Sequence, residues 1–151
     1  MAAFSSPFKY KLKTITVSVA CDSAKPPPVD CSAKAVDVIR AMFKKANWPW
    51  NQENFGFVAL DSRGHPIAVE RTSLGTKTAC LVHPADIFRR ALLVDAVEII
   101  AFHNHPSGEV TPSWQDKDVS RRLCAAGDLL GIPVVDNLII TATDHRVIDN
   151  E

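Results

Sequence analysis

Hydrophobic positions change period several times along the chain, and each change marks an element. From 8 to 19, Tyr10, Leu12, Thr14, Thr16 and Ser18 alternate with Lys11, Lys13, Ile15, Val17 and Val19, and neither face is cleanly apolar. Such a mixed pattern suits an edge strand. DSAKPPPVD at 22–30 follows as a linker, because its three prolines block helix and ladder bonding alike. The period then lengthens: Val36, Ile39, Phe43 and Ala46 recur at helical spacing, with Ser32 as cap and Lys44 and Lys45 near the end where positive charge is favoured.

Two strand-like runs flank DSRG in ENFGFVALDSRGHPIAV, which predicts a hairpin with Glu53 just before its first strand. After the turn-prone Gly75, TACLV reads as a short strand. PADIFRRALLVDA then predicts a helix, with Pro84 at its first position and Ile87, Ala91 and Val94 on one face. VEIIAF at 97–102 is nearly unbroken and rich in β-branched residues, as expected of a strand buried on both faces and ending at His103. Thr111 is placed to cap a third helix with Pro112 first, running to Leu130 and stopped by Gly131 and Pro133. Its inward stripe is Val119, Leu123, Ala126 and Leu130, and Asp116 falls in the same stripe at the opening turn. VVDNLIIT and RVID supply one or two closing strands. The sum is an α/β fold, a mixed β-sheet flanked by helices, in which residues 1–30 (strand and Pro-rich linker) and 31–151 form one domain.

The 151 residues, 46% hydrophobic, suffice for one core and scarcely for two. Lys+Arg and Asp+Glu are equal at 17 each, so charge does not indicate nucleic acid. The N-terminus lacks the apolar run of a secretory signal, and nothing approaches the roughly 18 residues of a membrane span, so a cytoplasmic protein is expected. Cys21, Cys31, Cys80 and Cys124 form no Cys-x-x-Cys pair, which favours reduced thiols over a Cys21–Cys31 bridge. His65, His83 and His145 have no neighbour at ligand spacing and read as surface or turn residues. Lys44-Lys45 and Arg89-Arg90 read as solvated helix faces, Trp48 and Trp50 as a loop packed on the core, and Phe55 and Phe57 as core.

Chemistry concentrates in HNHPSGEVTPSWQD at 103–116. Extended backbone would project His103 and His105 to one face and Asn104 to the other. PSGEVTP turns the chain back, and Ser113 and Asp116, three apart, share a helix face. His, His and Asp are the three ligands of a catalytic zinc site with an open fourth position, and the cation would give a buried aspartate its partner. Ser113 and the nearby helix N-terminus offer donors for an oxyanion. A general base must come from elsewhere, with Glu53, Glu70 and Glu98 as candidates.

His103-x-His105, seven residues, Ser113, two residues, Asp116 resembles without a gap the H-x-H-x7-S-x-x-D signature of the JAMM metalloproteases of the JAB/MPN superfamily. HNHPSG, the following TPS and the upstream QENFGFVALDSRG resemble the RadC group in particular, over about Ser32 to Ile140. The resemblance implies the JAB/MPN architecture, distantly similar to the cytidine deaminases. It further implies Zn2+ held by His103, His105 and Asp116, Ser113 assisting the oxyanion, and Glu53 aligned with the family's general base. Two departures stand out. The helix-hairpin-helix module that precedes the JAB domain in the RadC pattern finds no room in these 151 residues, and Asn137 stands where that pattern usually has His.

The leading expectation is a zinc-dependent hydrolase cleaving a peptide or isopeptide bond in a peptide or protein-conjugate substrate. The alternative is a DNA-repair-associated or binding module whose metal is mainly structural, which steeply salt-dependent DNA binding would reveal. Nucleobase deamination needs H-x-E and P-C-x-x-C, and neither occurs.

Overall fold

A computed structural model describes residues 26–74 and 82–149. The elements are α1 (Ser32–Lys45), β1 (Asn54–Leu60), β2 (Pro66–Leu74), α2 (Pro84–Leu93), β3 (Glu98–Asn104), α3 (Trp114–Leu130), β4 (Val134–Ile140) and β5 (His145–Val147). The five strands form one mixed sheet in the order β2-β1-β3-β4-β5. Only the β3–β4 pair is parallel, and α3 is its crossover. The strand expected over 8–19 lies outside the described residues, as does TACLV apart from Val82, which is buried but belongs to no strand.

Strand alternation sorts the core into two layers. Phe55, Phe57, Ala59, Ile99 and Ala101 point to the side covered by α2 and α3, where Ile87, Phe88, Ala91 and Leu123 meet them. Val58, Leu60, Ile100, Phe102, Leu138 and Ile140 point to the other side, against Ala35, Val36, Ile39 and Phe43 of α1. β3 is therefore buried on both faces, as its unbroken apolar run requires. Phe43 stacks on Trp50 at 4.0 Å and meets Trp48 edge-on at 5.3 Å, so the Trp-Pro-Trp loop does pack on the core. Lys44 and Lys45 are solvated, Arg89 pairs with Asp86 and Arg90 with Glu70. Val29 N–H donates to the Gly64 carbonyl at 2.8 Å, tying the end of the Pro-rich segment to the hairpin turn. Cys31 and Cys124 form no disulfide, and no helix among the described residues is long and apolar enough to cross a membrane.

Several boundaries differ from the sequence expectation. Cys31 is the N-cap of α1 and makes no side-chain cap bond, while Ser32 is already helical; Ala46 is an exposed C-cap rather than a core residue. The cap of α3 is Ser113, not Thr111. A helix capped at Thr111 would have Trp114 at its third position, whereas Ser113 has Asp116 there, and a carboxylate can return the cap's hydrogen bond. Leu130 is 47% exposed because α3 ends there in the left-handed Gly131. Ser120 and Gly127 join Leu123 on the inward side instead. β3 continues one residue past His103, to Asn104.

Gly56 sits at the centre of this arrangement, between Arg71 of β2 and Phe102 of β3. A Cβ there would collide with the Glu70 carbonyl oxygen and lie 2.7 Å from Phe102 Cζ. Gly56→Ala is therefore expected to destabilise the fold by about 1–3 kcal/mol, the range for forced overpacking, measurable by urea unfolding.

Candidate metal centre

The ladder between β1 and β3 pairs Phe55 with His103. Their rings share a face and stack 5.7 Å apart at 8° between planes, which fixes the His103 imidazole where it leaves the sheet. His105, two residues on, projects to the same side just beyond the strand. His105 to Gly108 then form a turn closed by Gly108 N–H to the His105 carbonyl, with Gly108 at φ 84°, a conformation that suits glycine. This turn brings the Glu109 carbonyl 2.8 Å from His105 Nδ1. A carbonyl can only accept, so Nδ1 carries the proton and Nε2 of the neutral ring is left as a lone pair.

Asp116 reaches the same point from the first turn of α3. Its carboxylate lies 3.0 Å from His103 Nε2 and 3.5 Å from His105 Nε2, and the two Nε2 atoms are 3.1 Å apart. One potential ligand atom from each of the three residues falls within 4.8 Å of the others. Two nitrogens and an oxygen bound tetrahedrally to zinc at about 2.0–2.2 Å stand roughly 3.3–3.6 Å apart; the 3.5 Å contact lies in that range, while the 3.0 and 3.1 Å contacts fall a little short of it, so a small opening of the side chains admits the ion. Two ring nitrogens converging on one carboxylate in a largely buried position also make a site whose charge a cation would balance. The residues fit the group.

Ser113 fixes the carboxylate. Its backbone N–H and its hydroxyl both donate to Asp116 Oδ2 at 2.7 Å, and its Oγ accepts from Asp116 N–H at 3.2 Å. Burial alone would raise the Asp116 pKa, but the hydrogen bonds from His103, His105 and Ser113 outweigh it and hold the carboxyl well below the usual range. The same carboxylate raises the His105 pKa against the opposing effect of burial, with the Glu109 carbonyl and the charge of Glu53 adding to the rise. Without a cation, the site therefore draws a proton to the place a metal would take.

Ser113→Ala removes the cap, and the zinc-free protein is expected to lose about 1 kcal/mol. For a domain of this size that lowers Tm by about 2–4 °C, readable by calorimetry.

His103, His105, Ser113 and Asp116 line one open cavity of about 520 Å³, and Glu53 lines it too. Glu70 and Glu98 do not. Glu70 is on β2 and holds Arg90 at 3.1 Å, while Glu98 opens β3 at the far end from His103. Asn137 also lines the cavity, from β4; it is buried, donates to Cys124 Sγ at 3.6 Å, and accepts Ile148 N–H on its carbonyl. The remaining histidines are elsewhere: His65 contacts Asp61 in the hairpin turn, His83 caps α2, and His145 opens β5. Sequence reasoning missed the stacking role of Phe55 and the hydrogen bonds of Asn104. The first was visible only as an apolar strand residue, the second only as the residue between two histidines.

Comparison with known proteins agrees with this geometry. A family model of the RadC-like JAB domain matches residues 29–149. A UPF0758 protein of Caldanaerobacter subterraneus subsp. tengcongensis is 40% identical over 104 residues, covering 69% of this chain and 44% of its own length. One of Symbiobacterium thermophilum is 44% identical over 88 residues (58% and 38%), and one of Gloeothece citriformis 39% over 111 residues (74% and 45%). The chain spans less than half the length of these relatives. Matched by that model over most of its length, and with the superfamily's H-x-H and S-x-x-D residues gathered into one possible metal site, the chain belongs to the RadC-like JAB domain family of the JAB/MPN superfamily.

Proposed function

We propose that the chain is a zinc-dependent hydrolase that cleaves a peptide or isopeptide bond. The observation that carries this reading is the convergence of His103, His105 and Asp116 on one point at the wall of a cavity that Glu53 and Ser113 also line. When bound, zinc supplies Lewis-acid polarisation of a carbonyl and acidification of a water.

The chain's own groups do the rest. Glu53 stands just before β1, two residues from the Phe55–His103 pair, and lines the same cavity as His103, His105 and Asp116. From there its carboxylate takes the proton of the attacking water and delivers it to the leaving amine. Ser113 donates a hydrogen bond to the oxyanion: turning its O–H away from Asp116 moves only a proton, because Oγ is held by the cap bond from Asp116 N–H. His105 keeps its Nε2 lone pair free through the bond from Nδ1 to Glu109.

The test is a cleavage screen with zinc-loaded protein over peptides and protein conjugates joined through a lysine side chain, run beside Glu53→Gln. Zinc-dependent cleavage that is lost in Glu53→Gln supports the reading; cleavage that survives chelation contradicts it.

A further inference from the structure

Asn104 lies between the two ligand histidines, and strand alternation sends its side chain to the opposite face of the sheet. It is completely buried, as is Asn54, its neighbour across the β1–β3 pair. Asn104 Oδ1 accepts from Asn54 N at 2.8 Å and from Asn54 Nδ2 at 2.9 Å. Asn104 Nδ2 donates to the carbonyls of Trp50 at 3.1 Å and Gln52 at 3.0 Å. Asn54 Nδ2 reaches the carbonyls of Pro49 and Gln52, each at 2.8 Å. Arg71 closes the group by donating to Asn54 Oδ1 at 3.1 Å while its guanidinium lies over the Trp48 ring at 5.2 Å.

Glu53 is bracketed by this knot, through the Gln52 carbonyl before it and the Asn54 N–H after it. The backbone ladder between β1 and β3 ends at Phe55 and His103. On its other edge β1 still pairs with β2 at Asn54 and Leu74, but a strand end paired on one side alone frays more readily. Here the Asn104 side chain occupies the next rung on the β3 side, adjacent in sequence to His105 and bonded to the residue after Glu53; His105 and Glu53 both line the cavity. A buried amide needs every bond it can make, and the four made by Asn104 all run from the ligand strand to the segment bearing Glu53.

We propose that Asn104, with Asn54, is a positioning residue that fixes Glu53 relative to the metal ligands. It acts on the chemistry only through Glu53, and so rests on the reading of Glu53 as base.

Cobalt(II), whose visible absorption responds to the groups hydrogen-bonded around the ion, provides a readout independent of any substrate. Spectra are recorded for wild type, Glu53→Gln, Asn104→Ala and the double variant, each loaded with cobalt. Asn104→Ala is expected to keep its cobalt, to move the absorption in the same sense as Glu53→Gln, and to add nothing in the double variant. A wild-type spectrum in Asn104→Ala, or fully additive shifts, overturns the proposal while leaving Glu53 as base. No cobalt uptake by wild type, or no response to Glu53→Gln, overturns the parent reading and this one with it.

Amide exchange in the wild type tests the knot without relying on a variant that keeps its fold. The Asn54 N–H, beyond the last backbone rung, is expected to exchange as slowly as amides inside β1, and at least about tenfold faster in Asn104→Ala. Exchange of a frayed end in the wild type overturns the proposal.

Discussion

Glu53→Gln is expected to lower hydrolysis by about 100- to 10,000-fold, the range for removing a general base, while zinc remains bound. Glutamine keeps the shape of the side chain and its place on the cavity wall but accepts no proton at neutral pH. The three candidate ligand side chains belong to β3, the turn after it and α3, so nothing that would hold a cation is altered. The separation of the two effects is what identifies the role. A ligand would take the metal with it when replaced, and a bystander would change neither. Rates measured with the substrate found in the screen, next to zinc content of the same samples, check both halves.

The second large effect is loss of the cation itself. His105→Ala removes one of three donors and leaves His103 and Asp116 to bind alone, so zinc affinity is expected to fall beyond the roughly 10- to 100-fold that losing an outer hydrogen-bond partner costs. Under the proposed function, activity is expected to disappear with the metal. The fold should survive, because His105 lies past the end of β3 and is only partly buried, whereas His103 stacks on Phe55 inside the sheet. His105→Ala therefore separates metal loss from unfolding more cleanly than His103→Ala. Competitive titration against a zinc-binding dye, with a thermal melt of each protein, reads affinity and fold independently.

Much of the geometry of this site is legible in the sequence. Two histidines at strand spacing and a Ser-x-x-Asp at a helix start are local patterns, and local geometry decides where they point: period two for His103 and His105, the capping box for Ser113 and Asp116. The buried run of β3 and the stripe of α1 were readable for the same reason. Features that depend on partners distant in sequence were not. Preference for Glu53 over Glu70 and Glu98 came mainly from resemblance, and its physical ground, that Glu53 lines the cavity with the histidines and Asp116 while Glu70 and Glu98 do not, rests on partners distant in sequence. The Asn54–Asn104 knot joins residues fifty positions apart, and two asparagines carry no mark of each other in a linear reading. The cap of α3 was misplaced by two residues because Thr111-Pro112 is itself a good start signal, and reciprocity with Asp116 decides in favour of Ser113.

The most direct test of the central claim is metal analysis of protein reconstituted with zinc and then dialysed, beside His105→Ala treated in the same way. The account predicts about one zinc per chain in the wild type and none retained in the variant. Wild-type protein that keeps no zinc, or a variant that keeps as much as the wild type, would contradict it.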